Sequence, residues 1–292
     1  MPIPNDPPVP RFEAFAAIDW SGAKGDRHKG IAVALCEGGC AAPALVAAPD
    51  GGLWSRRAVA DWLVGQTARP TLFGFDFSFA PPFVTRGAYL PGDPVPETAP
   101  EFWAYVDAVC ADPDLGAASL LEVTHRRHFY FGKADGVKAD FMHRRLCETL
   151  HNQSGGTKAS SLYESIGAAQ VAKASFAGMR LLHHVRPKVP VWPFDPPTGS
   201  RSLIVEIYTT IAARAGGRPL GRSKMRDPAS LNAALTSLGS LPYPGGAPDD
   251  HAADALVAAA WLRRVAGDAT LWRPPALDPT TAATEGWTFG VI

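Results

Sequence analysis

Hydrophobic positions along this chain fall into two textures. In the first eighty residues they form short, mostly unbroken runs at 14–18, 31–36, 44–48 and 71–79, separated by polar or Gly-rich turns. Runs of this length with little alternation predict strands covered on both faces. The connections at 23–30 and 37–39 predict an antiparallel meander for the first three strands. Residues 55–64 differ: Val59, Trp62 and Leu63 make a helical apolar face, and Ser55 is placed to cap it. Pro81 and Pro82 break the fourth strand.

From residue 91 to about 200 the periodicity weakens. Residues 101–111 and 168–182 read as helices, and 115–123 as a helix or an apolar connection. Strand texture returns at 202–210, a β-branched run with Glu206 at its centre. A last helix begins near Asp249 or Asp250, either of which suits an N-cap, and its Ala-rich continuation suits close packing on a sheet. The predicted class is α/β: a mixed five-stranded sheet flanked by helices, with a large helical, basic insertion at about 91–200 between the fourth and fifth strands. Residues 1–11 read as a Pro-rich tail and 12–292 as one domain.

Composition changes this picture in a few places. The chain has no run of 18 apolar residues and no membrane partner is expected; residues 1–10 lack the basic and apolar regions of a secretory signal, so a reducing cytoplasm is the expected setting. Cys36 and Cys40 read as small residues flanking a turn rather than a metal or redox pair. Formal net charge is zero, which excludes a uniformly basic nucleic-acid binder. Residues 124–188 nevertheless hold eleven Lys and Arg against four Asp and Glu, an excess that suggests a polyanion-facing surface or a solvated helical face. Within it, Arg126, Arg127 and Lys133 flank Phe129, Tyr130 and Phe131, a mixture able to hold phosphates and stack bases, although aromatics in a row are more often core than platform. Arg214, Arg218, Arg222, Lys224 and Arg226 read as a second basic cluster, one that contacts phosphate or merely covers the surface. The six histidines of 124–188 show no trusted metal-ligand spacing.

Acids recur in one pattern. Asp19 ends the first apolar run, Asp76 sits among aromatics late in the fourth, and Glu206 interrupts the fifth. A carboxylate inside a buried strand is costly without a partner. Asp254 lies inside the last helix, and Asp250 and His251, four and three residues earlier, share its face.

The ordered set Ala-Ile-Asp19-x-Ser-Gly, Gly-Phe-Asp76-Phe-Ser, Val-Glu206-Ile-Tyr and Asp-His251-x-x-Asp254-Ala-Leu-Val-Ala resembles a family of predicted nucleases in the ribonuclease H-like superfamily, domain of unknown function four-two-nine. Glu285-Gly286-Trp287 resembles that family's closing signature, and the H-x-x-D helix resembles that of bacterial Holliday-junction resolvases. The resemblance covers about 12–80 and 200–290; Thr209 stands where the family tends to have proline. It implies a ribonuclease H-like sheet with Asp19 and Asp76 on neighbouring strands, and two-metal phosphodiester hydrolysis with Mg2+ or Mn2+ on Asp19, Asp76, Glu206 and Asp254. His251 would orient the water or act as a ligand, and Ser21 and Lys24 would hold a phosphate. Nucleic acid, DNA or RNA, is the implied partner. Two other readings keep the fold: a binding module without catalysis, and a nucleotide-binding phosphotransferase, which would need a second copy of the first-strand motif.

Overall fold

The computed structural model describes residues 9–155, 159–166, 171–197, 201–218, 225 and 227–292. Residues 1–8 of the tail, the start of the helix expected from 168, and Arg222, Lys224 and Arg226 lie outside the described residues. Strands β1 (Ala14–Asp19), β2 (Ala32–Glu37) and β3 (Ala44–Leu45) form the meander, and α1 (Arg56–Gly65) leads into β4 (Thr71–Asp76). Helices α2 (Ala99–Val109), α3 (Leu146–Gln153) and α4 (Val171–Val185) precede β5 (Leu203–Glu206). After it come α5 (Thr209–Ala215), α6 (Pro228–Ser237) and α7 (Asp250–Val265).

The sheet is mixed, open and five-stranded, in the order β3-β2-β1-β4-β5. β1 runs antiparallel to β2 and parallel to β4, and β4 runs parallel to β5. All six β1 residues are buried, as its unbroken apolar run requires of a central strand. Alternate residues feed two cores. Ile18, Phe73 and Phe75 pack with Leu63 of α1, Phe102 of α2 and Phe176 of α4. Ala17, Leu72 and Val205 pack on the other face with Leu256 and Ala259 of α7. The alanines of α7 let it lie close against β1 and β2. Near its far end, a Cβ on Gly74 would stand only 2.7 Å from Leu262 Cδ1.

Ser55 caps α1 as its sequence predicts, accepting the Ala58 N–H at 3.0 Å. Three strands are shorter than their apolar runs. β3 keeps two exposed residues of 44–48, because it pairs only with β2 at the sheet edge. β4 ends at Asp76, after which Phe77 and Phe79 turn into the core under α4. β5 stops at Glu206, and Thr209 opens α5. Between β4 and β5 the chain is only partly helical: short 3-10 turns and a π-helical turn at Leu120–Thr124 join α2 to α3. No helix among the described residues is long and apolar enough to cross a membrane.

Candidate functional site

Parallel pairing of β1 and β4 puts Asp19 directly beside Asp76 at the C-terminal ends of both strands. Paired residues point to the same side of a sheet, and here that side is the α7 face. α7 begins there: Asp249 caps it by accepting the Ala252 N–H at 2.8 Å. Its first turns deliver His251 and Asp254 to the strand ends. His251 Nδ1 lies 2.7 Å from Asp19 Oδ2. Asp19 and Asp254 are each buried, Asp76 is half-buried, and the His251 side chain, about 41% exposed, faces solvent.

Asp76 feels its neighbours. Burial first, and then the charges of Asp19 and Asp254, push its carboxyl up to about 7 against hydrogen bonds that hold it down. Those bonds come from Thr209, whose N–H and hydroxyl donate to Asp76 at 3.3 and 2.8 Å. Proline, the residue the resemblance leads one to expect there, could donate neither. A cation among the three carboxylates would reverse the rise.

Glu206, expected with them, is not brought beside them. It pairs with Phe75, one position out of step with the Asp19–Asp76 pair, and a one-residue offset aims a side chain at the other face. There its carboxylate takes both ends of the Arg145 guanidinium, at 2.7 and 2.5 Å. The Phe79 N–H at 2.7 Å and the Thr288 hydroxyl at 2.5 Å complete its partners. Arg145 also donates to Glu148 and to the Glu285 carbonyl. Glu285 in turn accepts the backbone N–H groups of Phe83, Val84 and Leu146. Glu206 is thus engaged by Arg145, a guanidinium it shares with Glu148. Asp19 and Asp76 of the first set and Arg145 and Glu206 of the second border one cleft of about 270 Å³, which His151 and Tyr208 also flank. His151 Nε2 is buried with no hydrogen-bond partner among the described residues.

The turn after β1 holds Ser21 near the carboxylates and Lys24 away from them. Ser21 Oγ accepts the Ala23 N–H at 3.3 Å and flanks Gly30, as does the His251 ring. Lys24 is exposed and paired with Glu122 at 2.7 Å, bordering a separate cavity beside Asp112 and Ser119. Sequence reasoning missed what braces this turn. Arg56, wholly buried, donates to the carbonyls of Ser21, Ala23 and Asp114 at 2.9, 2.6 and 3.0 Å. Asp114 accepts the Arg56 and Arg57 N–H groups and lies 2.9 Å from His28 Nε2, serving as a remote cap for α1. One signal was available: two arginines in the first turn of a helix oppose its dipole and need an acid from elsewhere.

The cations singled out in the basic segment, Arg126, Arg127 and Lys133, do not border the cleft, although Arg145 of the same segment does. Arg126 pairs with Asp135 at 2.8 Å and lies over the Phe131 ring, Arg127 pairs with Asp93, and Lys133 is exposed. Phe129 and Tyr130 are buried core residues, not a stacking platform. Arg214 donates to the Gly155 carbonyl. The histidines set aside on spacing include two that meet a carboxylate through the fold: Asp93, His125 and His128 form a group that could hold a metal ion. Its carboxylate comes from 32 residues upstream of His125, which no local spacing reveals.

Comparison of the chain with protein-family models, with curated proteins and with solved structures found no match.

Proposed function

We propose that this protein is a metal-dependent phosphodiester hydrolase, a nuclease acting on DNA or RNA in the cytoplasm, built on a ribonuclease H-like sheet that carries residues 91–200 as an insertion. The observation that carries the reading is the Asp19–Asp76 register at the C-terminal strand ends, with α7 bringing Asp254 and His251 to the same point. Open α/β sheets bind ligands at that edge. The strand order β3-β2-β1-β4-β5, with only the outer meander antiparallel, supports the superfamily resemblance.

Three carboxylates are hard oxygen donors and fit Mg2+ or Mn2+. Asp19, Asp76 and Asp254 would hold the ion; Glu206 is occupied by Arg145 and drops out of the set. A bound divalent ion would supply a water acidic enough to attack at neutral pH and would offset phosphate charge. The chain's own groups do the rest. Asp19 orients the His251 ring through Nδ1, so His251 is positioned to hold or pass a proton at the solvent side of the site. Thr209 holds Asp76 in place. Polar ligand atoms in the cleft would satisfy His151 Nε2.

The test is cleavage of single-stranded, duplex and branched DNA and RNA in Mg2+ or Mn2+. Asp19→Asn and Asp254→Asn should each lower cleavage by at least ~100-fold, the scale on which losing a charge-stabilising group acts, with folding unchanged. Arg126→Ala, remote from the cleft, should keep it. Wild-type levels of cleavage in Asp19→Asn would overturn the proposal, and binding without cleavage by the wild type would favour a binding module.

A further inference from the structure

Among the described residues, Asp93, His125 and His128 are the cluster of ligand-type side chains, away from the carboxylate cleft, that could hold a metal ion. We infer that they bind one divalent transition-metal ion of the zinc class, fastening the turn at Asp93 to the segment that follows the π-helical turn.

The geometry is convergent. His125 Nδ1 and His128 Nε2 each lie 2.8 Å from the same atom, Asp93 Oδ2. All three ligand atoms fall within 4.8 Å of one another. Zinc bonds of about 2.0–2.1 Å place tetrahedral ligand atoms roughly 3.3 Å apart. Opening each contact by roughly half an ångström therefore makes room for the ion, a movement within the reach of side-chain rotation.

Both rings are held in place before any ion arrives. The His125 N–H closes the π-helical turn on the Leu120 carbonyl at 2.8 Å, and such turns recur at functional sites. The far nitrogen of His125 meets the Tyr105 hydroxyl of α2 at 2.8 Å. A metal-bound imidazole needs such an outer partner to fix its tautomer and orientation. The 3-10 turn Arg126–His128 then swings His128 onto the same carboxylate, with the His128 N–H bonded to the His125 carbonyl at 3.0 Å. The side chains of His125 and His128 are only 7% and 8% exposed, so the pair is shielded from bulk water.

Donor chemistry selects the ion. Two imidazoles and one carboxylate suit zinc-class metals, whereas Mg2+ and Ca2+ prefer oxygen alone. Arg127 competes with the ion: its guanidinium donates to Asp93 Oδ1 and reaches His128 Nε2 at 3.3 Å. At 63% exposed it can swing out to solvent. None of these residues borders the cleft, so the inference stands apart from the hydrolase reading.

The experiment titrates the full-length, chelator-stripped chain with Zn2+ by calorimetry, and with Co2+ by visible absorption. The wild type should bind at least one ion per chain, and the ion still bound in Asp19→Asn should give the intense d–d bands of low-coordinate Co2+. His128→Gln keeps a side chain able to bond Asp93 but offers no imidazole; it should stay folded by circular dichroism and lose at least tenfold in affinity. Asp19→Asn should bind as tightly as the wild type, separating this site from the cleft. Arg127→Ala should bind at least as tightly. The inference is overturned by a wild type that binds neither ion, by undiminished affinity in His128→Gln, or by loss of binding in Asp19→Asn or Arg127→Ala.

Discussion

Asp76 carries the most informative single-residue chemistry. Its carboxyl titrates near 7 rather than at the ordinary 3.8, because burial and the charges of Asp19 and Asp254 disfavour ionisation. A carboxyl raised in the folded state gives stability that is present in full below pH 4 and lost as pH climbs through 7. Asparagine cannot ionise, so Asp76→Asn in metal-free protein should gain on the wild type as pH rises from 4 to 8. The gain is ~4 kcal/mol at most, the equivalent of the whole shift. Thermal unfolding in chelator at both ends of that range reads it directly; parallel pH curves for the two proteins would contradict it. The Thr209 hydrogen bonds favour the ionised form, but their effect is already contained in the net rise and does not change the sign.

Among the elements, α4 and the turn after β1 depend on one glycine. A Cβ on Gly22 would sit 2.2 Å from the Ala174 backbone nitrogen, and a helix backbone cannot move aside as a side chain can. Gly22→Ala should cost at least about 2–3 kcal/mol by overpacking, measured by denaturant unfolding, and should disturb Ser21 next to the carboxylates. Gly25, three residues on, provides the contrast. Its φ is +101° with open space around it, so Gly25→Ala meets only backbone strain, about 1 kcal/mol. Equal losses at the two positions would mean that α4 does not press on the turn. The glycine of the Ser-Gly pair therefore serves the approach of a helix, a use that turn chemistry alone does not suggest.

At the scale of the whole molecule, Arg145 joins three distant parts of the chain. It links the start of α3 to Glu206 on β5 and to the Glu285 carbonyl near the C-terminus, with its side chain only 1% exposed. Removing one partner of a buried ion pair leaves an uncompensated charge, at a cost of roughly 3–5 kcal/mol. Arg145→Met should lose that amount in chemical denaturation, and Arg145→Met with Glu206→Gln should recover part of it. Strict additivity of the two single changes would rule out the coupling.

Much of the framework was legible in the sequence because it is local. Unbroken apolar runs marked the strands, Ser55 and the pair Asp249-Asp250 marked helix starts, and the small residues of α7 announced close packing. The position of Asp19 at the end of a strand was legible for the same reason. Register was not. Whether Glu206 faces the Asp19–Asp76 pair or the opposite core turns on a single-residue offset between β4 and β5, and hydrophobic pattern cannot resolve an offset when both faces are buried. Partners drawn from distant segments were equally hidden. Asp93 and Asp135 claim Arg127 and Arg126, Glu122 claims Lys24, and Asp93 gathers His125 and His128 across a connection with no periodic signal. Local chemistry, then, determined which residues could act and which elements carry them. The tertiary structure decided which of them meet, because charge pairing and strand register are settled by contacts between segments far apart in the chain.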